Sequence, residues 1–395
     1  MFVELHILQN FAPSNLNRDD TGSPKDCEFG GYRRARISSQ AFKRAMRDAF
    51  RDNGLLPLEN LGRRTLLLVE DVAKRLEAQG KPKDQAIAAV TKALSALDLS
   101  ASEDQRTHRV KTQYLLFLGE TEIENLTQVC LQHWDTLTGV AAPEEAVTPG
   151  RGRRARQAGK ESIPSEVQAA LKPVLDGKKA ADVALFGRMI ANLPDKNRDA
   201  ASQVAHAIST NKVSMEFDFY TAVDDLSPKE ETGAGMMGTV EFNSACFYRY
   251  ANVDLQTLLK NLGGDEDLSR RTLDAFLRAA VTAIPTGKQN SMAAQNAPSF
   301  IFAVVRDAGL WNLANAFLKP VCPTSQQDLM EASIARLDGY WGRVAKMYGE
   351  KGITLRCATT LARPDTLAAL KSDCVDSLED LIQLTLAAVK LQAIT

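Results

Sequence analysis

Residues 2–8 alternate, with Val3, Leu5 and Ile7 apolar and Glu4 and His6 polar between them. A period of two predicts a strand with one face in a core. From Ser38 the period lengthens. Phe42, Ala45, Met46, Ala49 and Phe50 stand at i, i+3, i+4, i+7 and i+8. That is the apolar stripe of a helix over 38–53, with Ser38 or Ser39 as N-cap. Gln40, Lys43, Arg44, Arg47 and Arg51 fall on its other side. Between strand and helix, residues 13–35 are rich in Asn, Asp, Gly and Pro and predict a long polar loop.

From Glu59 to Thr138 the pattern is helical, in runs at 65–79, 84–97 and 110–137, and reads as an insertion. Pro143, Pro149, Gly150, Gly152, Gly159 and Pro164 then break the pattern, and short helices continue to Arg188. Residues 204–210 alternate, and 215–226 look extended. Gly233, Gly235 and Gly238 disrupt any helical period there, which favours a hairpin. Residues 239–252 form the clearest strand: Val240, Phe242, Cys246, Tyr248 and Tyr250 share one parity, Phe247 and Arg249 the other. Strands at 299–307 and 353–360 then alternate with helices at 254–263, 270–283, 310–318, 327–348 and 375–392. The sum is an α+β chain with helices packed on one face of a sheet.

At 395 residues the chain is long enough for two or three compact units. Its six cysteines show no CxxC pair and its four histidines no metal-ligand spacing. They predict buried thiols in a reducing cytoplasm, without a disulfide framework, a metal or a cofactor. No apolar run approaches the roughly 20 residues of a membrane helix, and the first residues lack the basic start of a signal peptide. Charge changes the picture most. There are 48 Lys and Arg against 49 Asp and Glu, a net charge of −1. Yet between Tyr32 and Arg47 stand six basic residues and no acid. Arg36 arrives just before a helix whose first N–H groups are free to meet an anion. This pattern fits a phosphate backbone or, more plainly, a solvated helix face. Near-neutral overall charge argues against a general DNA-coating protein and suits one basic groove among surfaces that meet other proteins.

At SNLNRDD (14–20), FGGYRRARISSQAFKRAMR (29–47), ALFGRM (184–189), HAIST (206–210), DFYTAVDDL (218–226), GTVEFNSACFYRYANVDL (238–255), NLGG (261–264) and PTGKQ (285–289), the chain resembles the CasC-type backbone subunits of the type I-E CRISPR Cascade surveillance complex, in the RAMP superfamily. The resemblance implies a palm modified from the RNA-recognition motif (ferredoxin-like), a helical fingers insertion and a β-hairpin thumb. On this chain those map to a palm at 1–58 and 239–395, fingers at 59–190 and a thumb at 191–238. It implies a non-catalytic subunit that polymerises along CRISPR guide RNA, grips its backbone and kinks out bases at intervals. The guide is thereby presented for pairing with target DNA in antiviral defence. Further copies of the chain, a large and a small subunit, and guide-end-capping and guide-processing subunits are the implied partners. Carried over by motif, Arg18, Lys25, Ser38, Gln40, Lys43, Arg44 and Arg47 are palm contacts. Phe219, Tyr220 and Thr221 are the thumb tip, Met237 an aliphatic wedge, Met189 a residue pressing beside the kink and Lys288 a further phosphate contact. Backbone contacts carry no base information, and stacking wedges accept any base, as such a subunit requires.

The match is weakest where the family carries a Lys-rich fingers helix for target DNA. Here stand Arg151, Arg153, Arg154, Arg156 and Lys160, readable as a DNA contact or as a solvated loop. Asp224-Asp225 is the lone acid pair of note, either a polar loop or the element of an Asp-dependent, target-RNA-cleaving relative. His206 reads as a packed or hydrogen-bonding strand residue rather than a general base. Tyr248 and Tyr250 read as core or sheet-face packing rather than nucleotide-stacking residues, since the palm lacks an aromatic nucleotide-stacking pattern.

Overall fold

The structure, a computed structural model, describes residues 1–139, 163–222 and 236–391. The chain forms two units, one of residues 1–55, 202–256 and 270–395, the other of residues 56–201 and 257–269.

The first unit is a mixed α+β body built on one antiparallel sheet. Its strands are β1 (Phe2–Ser14), β2 (Asp26–Phe29), β3 (Tyr32–Ile37), β8 (Ser202–Val204), β9 (Ala207–Ser209), β10 (Glu216–Ala222), β11 (Met236–Asp254), β12 (Phe300–Arg306) and β13 (Ile353–Thr360). The order is β13-β12-β1-β11-β9-β3-β2, with β8 and β10 also paired to β11. Helix α1 (Ser39–Asp52) follows β1 in the chain, and α9 (Glu266–Thr282) separates β11 from β12. Strands β12-β1-β11-β9 with these two helices therefore have the β-α-β-β-α-β order of a ferredoxin-like fold.

Helices cover both faces of this sheet, not one. On the first face the Arg249 guanidinium lies 4.2 Å from the Phe42 ring of α1 and donates to Gln9 Oε1 and to the Ala280 carbonyl of α9. On the second, Leu8, Tyr248, Tyr250, Phe300 and Phe302 pack under Ile334, Leu337 and Trp341 of α11 (Leu329–Tyr348). Hence Glu4 and His6, which the alternation placed on a wet face, are fully buried. The Glu4 carboxylate and His6 Nδ1 are paired instead of solvated, while His6 Nε2 is buried without a hydrogen-bond partner. Glu4 meets Arg306 at 3.2 Å, Tyr250 Oη at 2.8 Å and the Trp311 N–H at 2.7 Å. His6 Nδ1 pairs with Tyr248 Oη at 2.9 Å, and burial pushes its pKa down to about 3, so the ring is neutral. The expected helix at 310–318 is only a 3₁₀ turn, Leu313–Phe317, that adds Phe317 to this layer. A final helix, α12 (Leu378–Ala388), buries Leu381 and Ile382.

The polar stretch 13–35 is not a loop throughout. β2 and β3 form a hairpin turned by Gly30-Gly31, both with positive φ (+64° and +79°). A Cβ on Gly30 would stand 2.0 Å from the Leu318 carbonyl oxygen, whereas one on Gly31 would meet nothing. We expect Gly31→Ala to cost about 1–2 kcal/mol, the penalty of a left-handed conformation. Gly30→Ala should cost clearly more, because it adds the clash with a backbone carbonyl. Denaturant midpoints of the two variants test this, and equal midpoints would remove the Leu318 contact as the cause.

The second unit holds α2 (Leu68–Ala78), α3 (Lys83–Ala96), α4 (Glu120–Gln132), α5 (Trp134–Gly139), α6 (Ser165–Leu171) and α7 (Ala181–Phe186). Leu76, Val90, Leu94, Ile123 and Leu126 are in its core. It also holds two small sheets, β4 (Gly62–Thr65) with β7 (Leu116–Gly119), and β5 (Ala101–Asp104) with β6 (Arg109–Thr112). The single helical run expected at 110–137 is thus two strands and two helices. Leu116, Phe117 and Leu118 are all buried, and a fully buried strand has no alternation to betray it. Two further helices lie beyond β11, α8 (Leu255–Asn261) and the four-residue α10 (Gln289–Met292). All six thiols are free. Cys130, Cys246 and Cys357 are buried as expected, but Cys322 and Cys374 are exposed. Among the described residues no helix is long and apolar enough to cross a membrane.

Candidate nucleic-acid interface

Helix α1 buries Phe42, Ala45, Met46 and Phe50 and turns its polar side outward. Ser38 is its N-cap, with Oγ accepting from the Ala41 N–H at 3.2 Å. No acid occupies the first turn, so the positive end of the helix is unopposed within it. Gln40 and Arg44 are exposed, while Lys43 and Arg47 are half-buried along the same side. Arg44 stands 3.7 Å from Asp48, an exposed pairing of little energetic weight.

The segment before the helix is folded, and two asparagines organise it. The Asn17 carbonyl accepts the Lys25 N–H at 2.9 Å, and its Oδ1 accepts the Ser38 N–H at 2.8 Å. Asn15 donates to the carbonyls of Gly22 and Glu241. The Asp19 carboxylate closes the turn by accepting from Thr21 and Ser23. Exposed Arg18 pairs with Pro24 as an isolated bridge. Gly287 lies against this segment, since a Cβ there would meet the Leu16 carbonyl at 2.4 Å. The adjoining Lys288, itself in a left-handed conformation, is thereby brought to the same region. The structure thus gathers Arg18, Lys25, Ser38 and Lys288 around Asn15–Asn17. Neither asparagine stood out in the sequence, and the repeated Asn of SNLN was the available signal.

The basic run does not all reach the surface. Arg34 is fully buried, donating to the carbonyls of Ser209, Thr210, Phe317 and Leu318. Arg33 pairs with Asp26. Arg36 remains, its Nε donating to the Asp26 carbonyl and one Nη to His206 Nδ1 at 3.2 Å. His206 is exposed rather than packed and lies between β8 and β9.

β10 and the first part of β11 form a projecting ribbon whose β10 residues are all exposed. Its register divides the expected tip. Phe219 pairs with Thr239 and Thr221 with Met237, so Phe219, Thr221 and Met237 share one face. Tyr220 pairs with Gly238 and lies on the opposite face, its ring over that glycine. Phe217, two residues before Phe219, joins the first face. Phe217, Phe219 and Met237 are 66, 64 and 67% exposed, an apolar stripe without a cover among the described residues. Phe217 was missed, although the alternation of EFDFYT pointed to it.

In the second unit Met189 is 82% exposed because its neighbours are fixed. Gly187, at φ +74°, has no room for a Cβ beside the Arg198 carbonyl. Arg188 reaches inward to the buried Glu122 carboxylate, with both oxygens at 2.8 Å, and to the Leu175 carbonyl. Glu122 also accepts from the N–H groups of Gly119 and Gly177. Tyr248 and Tyr250 are buried in the sheet layer under α11. Arg151, Arg153, Arg154, Arg156, Lys160, Asp224 and Asp225 lie outside the described residues.

Over residues 3–384 the chain matches the family described as CT1975-like protein. No curated protein matches it. Among solved structures it is similar to a chain of "CRISPR RNA-guided surveillance complex, pre-nicking", with 30% identity and a TM-score of 0.84 over 98% of this chain and 100% of that one. It is also similar to a chain of a "CRISPR RNA-guided surveillance complex", with 26% identity and a TM-score of 0.74 over 98% and 100% of the two chains. The chain belongs to the CT1975-like protein family.

Proposed function

We propose that this protein is a guide-RNA-binding backbone subunit of a CRISPR surveillance complex of the type I-E Cascade kind. The observation that carries the reading is the full-length similarity to a chain of an RNA-guided surveillance complex, at 30% identity. The site geometry supports it. An acid-free helix start, Lys25, Arg36 and the Lys288 loop converge in one unit, which suits a phosphate backbone. The exposed stripe of Phe217, Phe219 and Met237 suits a wedge between bases, where stacking tolerates any base. In this reading copies of the chain line one guide, their ribbons displace bases at intervals, and the intervening bases stay free to pair with target DNA. Met189 presses beside the displaced base. Of the other subunits named by the resemblance, dedicated ones cap and process the guide.

The purified protein is expected to carry a discrete RNA of constant length. RNA of random length, or none, would remove the guide-bound reading. The subunit itself is proposed to be non-catalytic. Assembled complex incubated with complementary RNA or DNA and Mg²⁺ should leave both strands intact. Scission that is abolished by Asp225→Ala would replace this reading with that of a target-cleaving ribonuclease.

A further inference from the structure

We propose that His206 binds a backbone phosphate of the guide as a neutral hydrogen-bond donor, sharing that phosphate with Arg36 and Lys25. The inference rests on the RNA-binding reading above and assigns one further residue to it.

Three observations lead there. The first is local geometry. Val204 pairs with Ala251 and Ile208 with Tyr248, so four steps along β8–β9 face three along β11. One extra residue makes a β-bulge between the two short strands, a device that re-aims a side chain. The bulge holds Ala205 and His206; the Ala205 N–H returns to the Tyr250 carbonyl, and His206 is left exposed. Beyond it, Ala207 pairs with Ile37, beside the N-cap of α1. His206 therefore stands next to the start of the basic helix.

The second is the tautomer. An arginine can only donate, so His206 Nδ1, 3.2 Å from an Arg36 Nη, must accept. The proton is then on Nε2. Among the described residues nothing accepts from Nε2, which leaves an oriented N–H donor at the surface.

The third is uncompensated charge. The charged groups that act on the ring are Arg36 and Lys25, whose backbones are joined where the Lys25 carbonyl accepts the Arg36 N–H at 2.9 Å. Partial desolvation and these two cations hold the imidazole below its ordinary pKa. The carboxylate of Asp26, the residue after Lys25, is engaged by Arg33. Two cations and a polar donor converging from β3, the loop before β2 and the bulge describe a receptor for one anion. A phosphodiester oxygen satisfies all three, and only the cations contribute counterion release.

That last point makes the test specific. Affinity of the full chain for a labelled, unstructured single-stranded RNA would be measured across a salt series at neutral pH. His206→Phe keeps a ring and removes both nitrogens; it should weaken binding about tenfold while leaving the salt slope at its wild-type value. Lys25→Ala should lower that slope by about 0.7. His206→Gln, which still offers an N–H at similar reach, should retain most of the affinity. Equal losses in His206→Gln and His206→Phe would trace the effect to packing and overturn the proposal. So would wild-type affinity in His206→Phe, or a salt slope lowered as in Lys25→Ala. Wild-type protein that binds no RNA would instead overturn the functional reading itself.

Discussion

Alanine at both Lys43 and Arg47 is expected to lower affinity for single-stranded RNA by about 30- to 150-fold, taking roughly 1–1.5 kcal/mol for each charged contact. The two residues stand at i and i+4 on α1, one turn apart on the same side. That spacing suits successive positions along one backbone. The helix is held by Phe42, Ala45, Met46 and Phe50, none of which is touched by the substitutions. Thermal stability should therefore stay near that of the wild type. Because the lost contacts are ionic, the salt slope should fall by about 1.4, at 0.7 per contact. Because they touch no base, two unrelated RNA sequences should lose affinity alike. Losses confined to one sequence, or an unchanged slope, would refute a backbone grip by this helix.

Arg188→Ala should have the largest effect on folding. It leaves the Glu122 carboxylate in a site where both partners are almost fully buried. Removing one member of such a pair costs about 3–5 kcal/mol. For a unit of this size that lowers its melting temperature by roughly 6–20 °C. Met189→Ala, one residue further on, should leave melting unchanged, because its side chain is in solvent. The expected contrast is a stability defect at 188 and an RNA-protection defect at 189. Calorimetry of the two variants checks the first half, and nuclease footprinting of the bound guide the second. If Arg188→Ala melted like the wild type, the buried pair would not be what anchors this segment.

Much of the framework was legible because period and burial agreed. The stripe from Phe42 to Phe50 specified α1 to within a residue at either end, and the cap is Ser38, one of the two serines the pattern offered. Strand β11 announced itself through the parity of Cys246, Tyr248 and Tyr250. The failures share a cause: alternation reports polarity, not which side is wet. Glu4 and His6 looked solvent-facing because the pattern could not show that Arg306, Tyr250 and Tyr248 await them across the sheet. Leu116–Leu118 looked helical because both faces of that strand are dry. In the site, charge counting overstated the basic track. Arg34 is chemically indistinguishable from Arg33 and Arg36 in sequence, yet four carbonyls hold it in the core. Conversely, Asn15 and His206 matter through partners more than a hundred residues away, Glu241 and Arg36, and Asn17 through Lys25 and Ser38 across the polar stretch; beyond the repeated Asn of SNLN none of these pairings leaves a signal in the sequence. The division of the ribbon, with Tyr220 opposite Phe219 and Met237, follows from a register that only pairing reveals.

The layer of α11 over the sheet has a consequence for what the protein can know. The surface that an open ferredoxin-like sheet offers to nucleobases is here closed by Trp341 and its neighbours. If this unit grips the guide as proposed, it does so without an alphabet, holding a strand without preferring one message to another. On the proposed function, the identity of a threat resides in the RNA alone, and a single gene product serves every record a cell acquires.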